Sequence, residues 1–163
     1  MIAKLSPNDY QRIIEIWESA VRATHHFLAE DDILFYKELI YRQYLSLVDL
    51  FGYYNDEGVL LGFVGIHKKN VQLLFIDASV RGCGIGKQLI QFAIKKRKIR
   101  YVDVNEQNQQ ALGFYEHMGF VTIDRFLTDD AGKPYPILRM QLRRKWLWGL
   151  FKMGLPKKSS SRP

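Results

Sequence analysis

One glycine-rich segment constrains this chain more than any other feature. Three glycines alternate with other residues in Arg81–Gly86, directly after an apolar run at 71–76. A segment with the apolar period of a helix begins at Ile85. A glycine turn between a strand and a helix gathers backbone N–H groups and the positive end of the helix dipole at one place. The sequence therefore predicts an anion site there, most simply for phosphate groups.

Two common phosphate-binding motifs do not fit these glycines. The P-loop of nucleoside triphosphatases needs Ser or Thr directly after its Gly-Lys pair, to supply a hydroxyl for magnesium. Here Gly86 and Lys87 are followed by Gln88. The dinucleotide-binding motif needs a third glycine three residues after the second, and the corresponding positions hold Lys87 or Leu89. The spacing therefore disfavours ATP and NAD as ligands.

Length and cysteine content indicate one domain in a reducing compartment. At 163 residues, the chain is long enough for one domain with a substantial core and short for two. The sequence has one cysteine, Cys83, which excludes an intrachain disulfide and a cysteine-rich zinc site. It begins without a signal-peptide segment and has no apolar run as long as a membrane span. We expect a cytoplasmic protein without a metal.

The positive charge is concentrated at the C-terminal end. The formal net charge is +7, and 7 of the 24 Lys and Arg residues lie in residues 143–163, which contain no acid. Residues 1–142 thus balance 17 basic against 17 acidic groups. We expect one domain over 1–142 and a basic, aromatic extension over 143–163 whose end is disordered.

The extension mixes tryptophan, phenylalanine and basic residues. This composition indicates a contact with nucleic acid or an anionic membrane. The alternative is that its aromatic residues pack on the domain or form a homodimer contact. Gly149 and Gly154 favour that alternative, because they interrupt any long amphipathic helix.

Apolar periodicity predicts an α/β (α+β) fold in which helices flank a mixed sheet. The expected strands are 2–5, 50–54, 59–66, 71–76, 101–104, 121–127 and 137–142, and the expected helices begin near residues 7, 31, 85 and 108. Turns at 55–58 and 68–70 join three strands into an antiparallel meander. Helices follow the fourth and fifth strands, which indicates helices on both faces of the sheet.

Two motifs, in order along the chain, resemble the Gcn5-related N-acetyltransferase (GNAT) superfamily. The first is Arg-x-x-Gly-x-Gly at Arg81–Gly86, with Leu74-Phe75-Ile76-Asp77 before it. The second runs from Asn108 to Phe120. The resemblance covers about residues 2–142 and extends to the YjaB-like subfamily of small bacterial acetyltransferases. It implies a mostly antiparallel sheet of about seven strands, with a V-shaped splay between the fourth and fifth.

The resemblance also implies that acetyl-CoA is the ligand of the glycine segment. Its pyrophosphate would bind backbone N–H groups, and its pantetheine arm would lie along the splayed fourth strand, as in strand addition. Tyr115 would act as general acid toward the thiolate leaving group, while a neutral amine attacks the thioester directly. The implied cofactor-binding residues are Leu74, Phe75, Ile76, Arg81, Gly82, Cys83, Gly84, Ile85, Gly86, Lys87, Asn108 and Tyr115.

The acceptor pocket is expected between the first two helices, together with 104–108 and 132–136. The candidate residues are Thr24, His25, Phe27, Asn105 and Glu106. His25 and His26 are the candidate bases, although capping of the first helix by a histidine or a surface pair would explain them equally. Glu106 would attract a cationic amine or be a solvated loop acid. Deprotonation through water is the alternative to a named base.

These observations predict an N-acetyltransferase. It would transfer the acetyl group of acetyl-CoA to a primary amine of a small molecule, peptide or protein. The alternative is a non-catalytic acyl-CoA-binding module whose basic tail contacts nucleic acid or membrane.

Overall fold

A seven-stranded sheet organises the protein, for which a computed structural model describes residues 1–143. The strands are β1 (Ile2–Lys4), β2 (Asp49–Tyr54), β3 (Leu60–His67), β4 (Asn70–Ile76), β5 (Tyr101–Asn105), β6 (Phe120–Phe126) and β7 (Ile137–Leu142). The helices are α1 (Tyr10–Thr24), α2 (Glu30–Leu39), α3 (Ile85–Arg97) and α4 (Gln109–His117). The C-terminal extension was predicted over 143–163, and all of it except Arg143 lies outside the described residues. The domain boundary after residue 142 stays a prediction.

The strand order is β1-β2-β3-β4-β5-β7-β6. All neighbouring strands are antiparallel except β4 and β5, which are parallel. A parallel pair needs a crossover connection, and α3 supplies it. The predicted mixed, mostly antiparallel sheet is thus confirmed, and each strand end lies within one residue of its predicted position.

β4 and β5 separate soon after they meet. Their pairing is limited to Asn70 with Tyr101 and Val71 with Val102. From residue 73 to residue 76, β4 is paired with β3 on its other side. The predicted V-shaped splay between the fourth and fifth strands is therefore present, and it leaves one edge of β4 available.

Two apolar cores lie on opposite faces of the sheet. One packs α3 and α4 against the strands and includes Leu89, Ile90 and Phe120. The other packs α1 and α2 on the opposite face and includes Ile13 and Trp17. Consecutive residues of β3 contribute to different cores, because side chains alternate along a strand. Helices on both faces are confirmed.

The second helix begins within one residue of its predicted start and changes its form at its C-terminal end. It begins at Glu30, where the carbonyl of Ala29 accepts from the backbone N–H groups of Asp32 and Ile33. The acidic first turn favours a start here, since carboxylates stabilise a helix N-terminus. At its other end, the chain continues as a wide π-type turn at Ile40–Tyr44 and a 3₁₀ turn. The wide turn carries Tyr44 to the site described next.

Candidate active site

A cavity of about 660 Å³ lies at the splay between β4 and β5. Its wall combines the ends of α1 and α2, the edge of β4, the glycine segment, β5, α4 and the loop before β7. Most of the residues predicted from the sequence line it: Thr24, His25, Phe27, Leu74, Phe75, Ile76, Arg81, Gly82, Gly84, Ile85, Gly86, Lys87, Asn105, Asn108 and Tyr115. The fold thus brings both predicted groups, for the donor and for the acceptor, to one cavity.

The glycine segment presents free backbone donors to this cavity. The first hydrogen bond of α3 runs from the N–H of Gln88 to the carbonyl of Gly84, so the three preceding amides at 85–87 have no acceptor within the helix. Gly82 and Gly84 have φ angles of +80° and +79°, in the left-handed region that favours glycine. These amides and the positive end of the helix dipole meet at one corner of the cavity, an arrangement that favours an anion.

Gly86 requires a different explanation from its neighbours. It lies inside α3, and a Cβ atom at this position would be 3.7 Å from Phe114 and 3.8 Å from Ile76. These are ordinary van der Waals distances. The protein itself therefore leaves room for a methyl group at Gly86, on the wall of the cavity.

Arg81 connects the glycine segment to two helices. Its guanidinium donates to the carbonyl of Ala23, 3.5 Å away near the end of α1, and to the side-chain oxygen of Gln110 in α4. Lys87 adds a second cationic side chain to the cavity wall. This end of the cavity is therefore positively charged.

Cys83 and Glu106 lie outside the cavity wall. Cys83 is exposed, and its thiol lies 3.9 Å from the carbonyl oxygen of Arg81. Glu106 accepts two hydrogen bonds from the Arg125 guanidinium, at 2.6 and 2.8 Å. These bonds lower the pKa of Glu106. Its placement matches the expectation of a loop acid, rather than a group that attracts an amine.

Tyr115 lines the cavity from α4 with only 6% of its surface exposed. Its ring packs edge-on against Phe114 and Phe120, with centroids 5.2 and 5.8 Å apart. Burial raises the pKa of the Tyr115 hydroxyl well above its ordinary value of 10. The hydroxyl therefore keeps its proton at neutral pH and remains a hydrogen-bond donor.

Asn108 begins the same helix. Its side-chain oxygen accepts from the N–H of Ala111 at 3.1 Å and so caps α4. Seven residues separate Asn108 from Tyr115, which is about two helical turns, so both lie on one face. Since the oxygen is engaged, the amide nitrogen is the group that Asn108 offers to the cavity.

His25 caps the C-terminal end of α1. Its Nδ1 lies 2.7 Å from the hydroxyl of Thr24, and its Nε2 lies 3.5 Å from the amide nitrogen of Asn108. The imidazole packs against Phe27 and Phe75, with centroids 5.3 and 6.3 Å apart. Burial, with the charge of His26 adding to it, lowers the pKa of His25 to about 4. His25 is therefore neutral at neutral pH.

The far end of the cavity is aromatic and acidic. Sequence reasoning assigned Phe27 and residues 132–136 to the acceptor pocket but did not name Tyr36 or Asp129. Tyr36 of α2 donates to the carboxylate of Asp129, which also accepts from the backbone N–H groups of Ala131 and Lys133 at 3.0 and 2.9 Å. Burial, reinforced by Asp129, raises the pKa of the Tyr36 hydroxyl. Tyr36 thus remains a donor and holds the 129–133 loop against α2.

A second contact fastens the same loop. Asp32 of α2 accepts from the Lys133 ammonium at 2.5 Å and from the Tyr135 hydroxyl. The Tyr135 ring lines the cavity. Its centroid lies 6.1 Å from that of Phe27 and 6.3 Å from that of Tyr36. These contacts join positions about a hundred residues apart in the chain, so no local pattern could have revealed them.

Tyr44 and Asp130 complete this end of the cavity. Burial, and then the charges of Asp130 and Asp129, raise the pKa of Tyr44. The cavity therefore has a cationic end, with Arg81 and Lys87, and an aromatic end with two carboxylates. An anion and a cation can be held at opposite ends of one cavity.

Residues 1–143 contain neither a metal cluster nor a membrane-spanning helix. No group of three or more His, Cys, Asp or Glu side chains there is arranged to hold a metal ion. None of the helices in this range combines the length and apolarity that a membrane crossing requires.

Comparison with known families decides between the possible ligands of this cavity. The model of an acetyltransferase (GNAT) domain matches residues 25–135, which include the glycine segment and Tyr115. The chain belongs to the GNAT acetyltransferase family. The resemblance predicted from the two motifs is therefore confirmed.

Individual relatives agree with this assignment. Two of them, from Escherichia coli K12 and Salmonella typhimurium, bear the name peptidyl-lysine N-acetyltransferase YjaB. They are 37% and 39% identical over 130 residues, covering 80% of this chain and 88% and 89% of the relatives. The solution structure of apo-form YjaB from Escherichia coli matches with a TM-score of 0.80 and 34% identity, over 86% of this chain and 95% of that one.

The family assignment confirms the predicted enzyme class. The protein is a GNAT N-acetyltransferase, and acetyl-CoA is its acetyl donor. This excludes a purely non-catalytic role for the domain. The homodimer, the tail contacts and the cytoplasmic location stay predictions.

Proposed function

We propose that this enzyme transfers an acetyl group directly from acetyl-CoA to the side-chain amine of lysine in a peptide or protein, with Tyr115 as general acid. The observation that carries the proposal is the division of one cavity into a cationic glycine corner and an aromatic, acidic end. The names of the YjaB relatives support lysine as the acceptor.

The donor occupies the cationic half. Its pyrophosphate binds the free amides at 85–87, with Arg81 and Lys87 adding positive charge. Its pantetheine arm runs along the open edge of β4 at residues 73–76, where the backbone lacks a β5 partner. This course carries the thioester from the glycine corner toward Tyr115.

The acceptor enters from the aromatic half. A lysine side chain has an apolar stem and a cationic head, and the rings of Phe27, Tyr36 and Tyr135 provide a wall for the stem. Asp129 and Asp130 attract the ammonium form before it loses its proton. The aromatic rings add cation–π attraction.

Transfer then needs no covalent enzyme intermediate. The neutral amine attacks the thioester carbon, and the carbon–sulfur bond breaks with its electron pair on sulfur. Tyr115 protonates that sulfur. Its raised pKa keeps the hydroxyl protonated at neutral pH, so the proton is available for this step.

Steady-state acetylation of a lysine-bearing peptide, read as released CoA, tests the proposal. Tyr115→Phe retains the buried ring and removes the donor, so kcat should fall roughly 10²-fold or more while acetyl-CoA binding is unchanged. Tyr41→Phe, at an exposed tyrosine outside the cavity wall, is the matched control and should keep wild-type kcat. Wild-type kcat in Tyr115→Phe would remove this residue from the mechanism, and activity on small amines but not on peptides would overturn the acceptor assignment.

A further inference from the structure

The hydrogen bonds of Thr24 fix which nitrogen of His25 carries its proton. The Thr24 hydroxyl donates to the carbonyl of Ala20 at 2.8 Å, four residues earlier in α1. A hydroxyl has one proton, so the same oxygen can only accept from His25, whose Nδ1 is 2.7 Å away. This pairing favours the tautomer with the proton on Nδ1 and a lone pair on Nε2.

This lone pair is directed across the cavity. Nε2 lies 3.5 Å from the amide nitrogen of Asn108, the cap of the helix that carries Tyr115. The imidazole also packs on Phe75, in the part of β4 that has separated from β5. A nitrogen that accepts protons thus lies between the α1 end and the open β4 edge, in the same cavity as Tyr115.

We propose that His25 is the catalytic base of this acetyltransferase: its Nε2 accepts a hydrogen bond from the acceptor amine in place of Asn108, and takes the amine proton as the new carbon–nitrogen bond forms. The inference rests on the proposed direct transfer. It names the proton acceptor, whereas the proposed function names only the donor to sulfur.

The proton balance of the step is complete. The amine nitrogen bonds to the thioester carbon, and the carbon–sulfur bond breaks with its electrons on sulfur. His25 receives the proton from nitrogen, while Tyr115 gives one to sulfur. Both residues regain their starting states by proton exchange with solvent, so the net products are the acetylated amine and CoA.

A weakly basic imidazole suffices for this role. The pKa of His25 is about 4, lowered by burial and by the neighbouring charge of His26. The attacking nitrogen gains positive charge as its bond to carbon forms, so its proton becomes more acidic than that of the free amine, and His25 is available as a neutral acceptor. Asn108 and Phe75, which pack against the ring from α4 and β4, are uncharged, and Arg81 is held two residues away at the carbonyl of Ala23.

Substitution of His25 provides the test, with a lysine-bearing peptide as acceptor. His25→Gln can accept a hydrogen bond but cannot carry a proton away, so kcat should fall roughly 10²-fold with an unchanged KM for acetyl-CoA. His25→Ala leaves space for a free imidazole, and added imidazole should restore part of its activity. Wild-type kcat in His25→Gln, or the absence of rescue in His25→Ala, would overturn the assignment.

Thr24 offers a matched pair of variants for the same proposal. Thr24→Val has nearly the same shape but no acceptor for the Nδ1 proton. The His25 ring can then adopt either tautomer, so a fraction of the molecules lacks the lone pair at Nε2. For this reason kcat should fall several-fold. Thr24→Ser retains the hydroxyl, so its loss of kcat should be smaller than that of Thr24→Val. Equal kcat in the two variants would contradict the positioning role of Thr24.

Failure of this inference can be separated from failure of the proposed function. Nitrogen-15 NMR of the His25 ring reports the tautomer without any acetyl acceptor, and a protonated Nε2 would overturn the inference directly. If the wild type acetylates no peptide, the proposed acceptor class fails. If the wild type is active and His25→Gln is equally active, the histidine assignment alone fails.

Discussion

The amide nitrogen of Asn108 lies 3.5 Å from Nε2 of His25, so the cap of α4 meets the end of α1 within the cavity. The family resemblance implied different tasks for these two residues, binding of acetyl-CoA for Asn108 and a place in the acceptor pocket for His25. Their contact brings a residue implied to bind the donor next to a residue implied to line the acceptor pocket. A donor that engages the Asn108 amide would release the Nε2 lone pair of His25 for the incoming amine.

The neutral, buried state of His25 predicts a pH dependence of stability. Its pKa is about 4 in the folded protein, against an ordinary value of 6.5. Between these values the unfolded chain binds a proton that the folded protein does not, so the free energy of unfolding falls as the pH decreases from 6.5 to about 4. This group contributes a loss on the order of 2–3 kcal/mol over that window.

Denaturant unfolding of wild type and His25→Gln across this pH range measures the effect. Carboxylates such as Glu18 and Asp32, whose pKa values are lowered by their hydrogen-bonded cations, lose stability at low pH in both proteins. The difference between the two proteins therefore isolates His25. His26→Gln, at an exposed site, should retain the loss, and parallel curves for wild type and His25→Gln would refute the prediction.

The fold could be predicted largely because its signals are local. Alternating apolar residues and glycine turns placed each strand end within one residue of its position in the structure. The splay of β4 from β5 came from the family resemblance, because no pattern of residues along either strand specifies where a parallel pair separates. The cationic half of the site could be predicted for the same reason, since Arg81 and Lys87 belong to one contiguous motif.

The acceptor half depends on contacts that a sequence does not display. Tyr36 fits the apolar period of α2, yet its hydroxyl reaches Asp129, 93 residues later. From the sequence, Glu106 could either attract a cationic amine or be a solvated loop acid, and only the structure shows that Arg125 of β6 binds it. Each partner comes from another strand or loop, so only the folded chain reveals which carboxylates face the cavity.

Gly84 and Gly86 are expected to respond differently to the same substitution. Gly84 has a φ of +79°, where an alanine costs roughly 1–2 kcal/mol, so Gly84→Ala should lower the melting temperature of the free protein. Gly86 is inside α3 with room for a methyl group, and Gly86→Ala should leave this melting temperature unchanged or raise it slightly.

The effect of acetyl-CoA on the melting temperature tests whether Gly86, unlike Gly84, is needed for space at the donor rather than for its backbone conformation. Acetyl-CoA should raise the melting temperature of the wild type by mass action. Because the Gly86 methyl would lie in the corner proposed for the pyrophosphate, the shift should be smaller in Gly86→Ala than in the wild type. Thermal unfolding with and without millimolar acetyl-CoA measures both effects. An undiminished shift in Gly86→Ala would show that the donor does not approach this residue closely.

The contact between Tyr36 and Asp129 predicts control of the acceptor half alone. Tyr36→Phe retains the ring beside Tyr135 and removes the hydrogen bond that holds the 129–133 loop to α2. A hydrogen bond to a charged group is worth about 1.5–3 kcal/mol, so the loop should become less firmly held and the KM for a lysine peptide should rise several-fold. The KM for acetyl-CoA should be unchanged, because the glycine corner lies at the other end of the cavity.

Tyr41→Phe, at an exposed tyrosine whose ring contacts Tyr10, controls for loss of a hydroxyl. Equal increases in the two KM values would mean that the contact supports the whole cavity rather than its acceptor end.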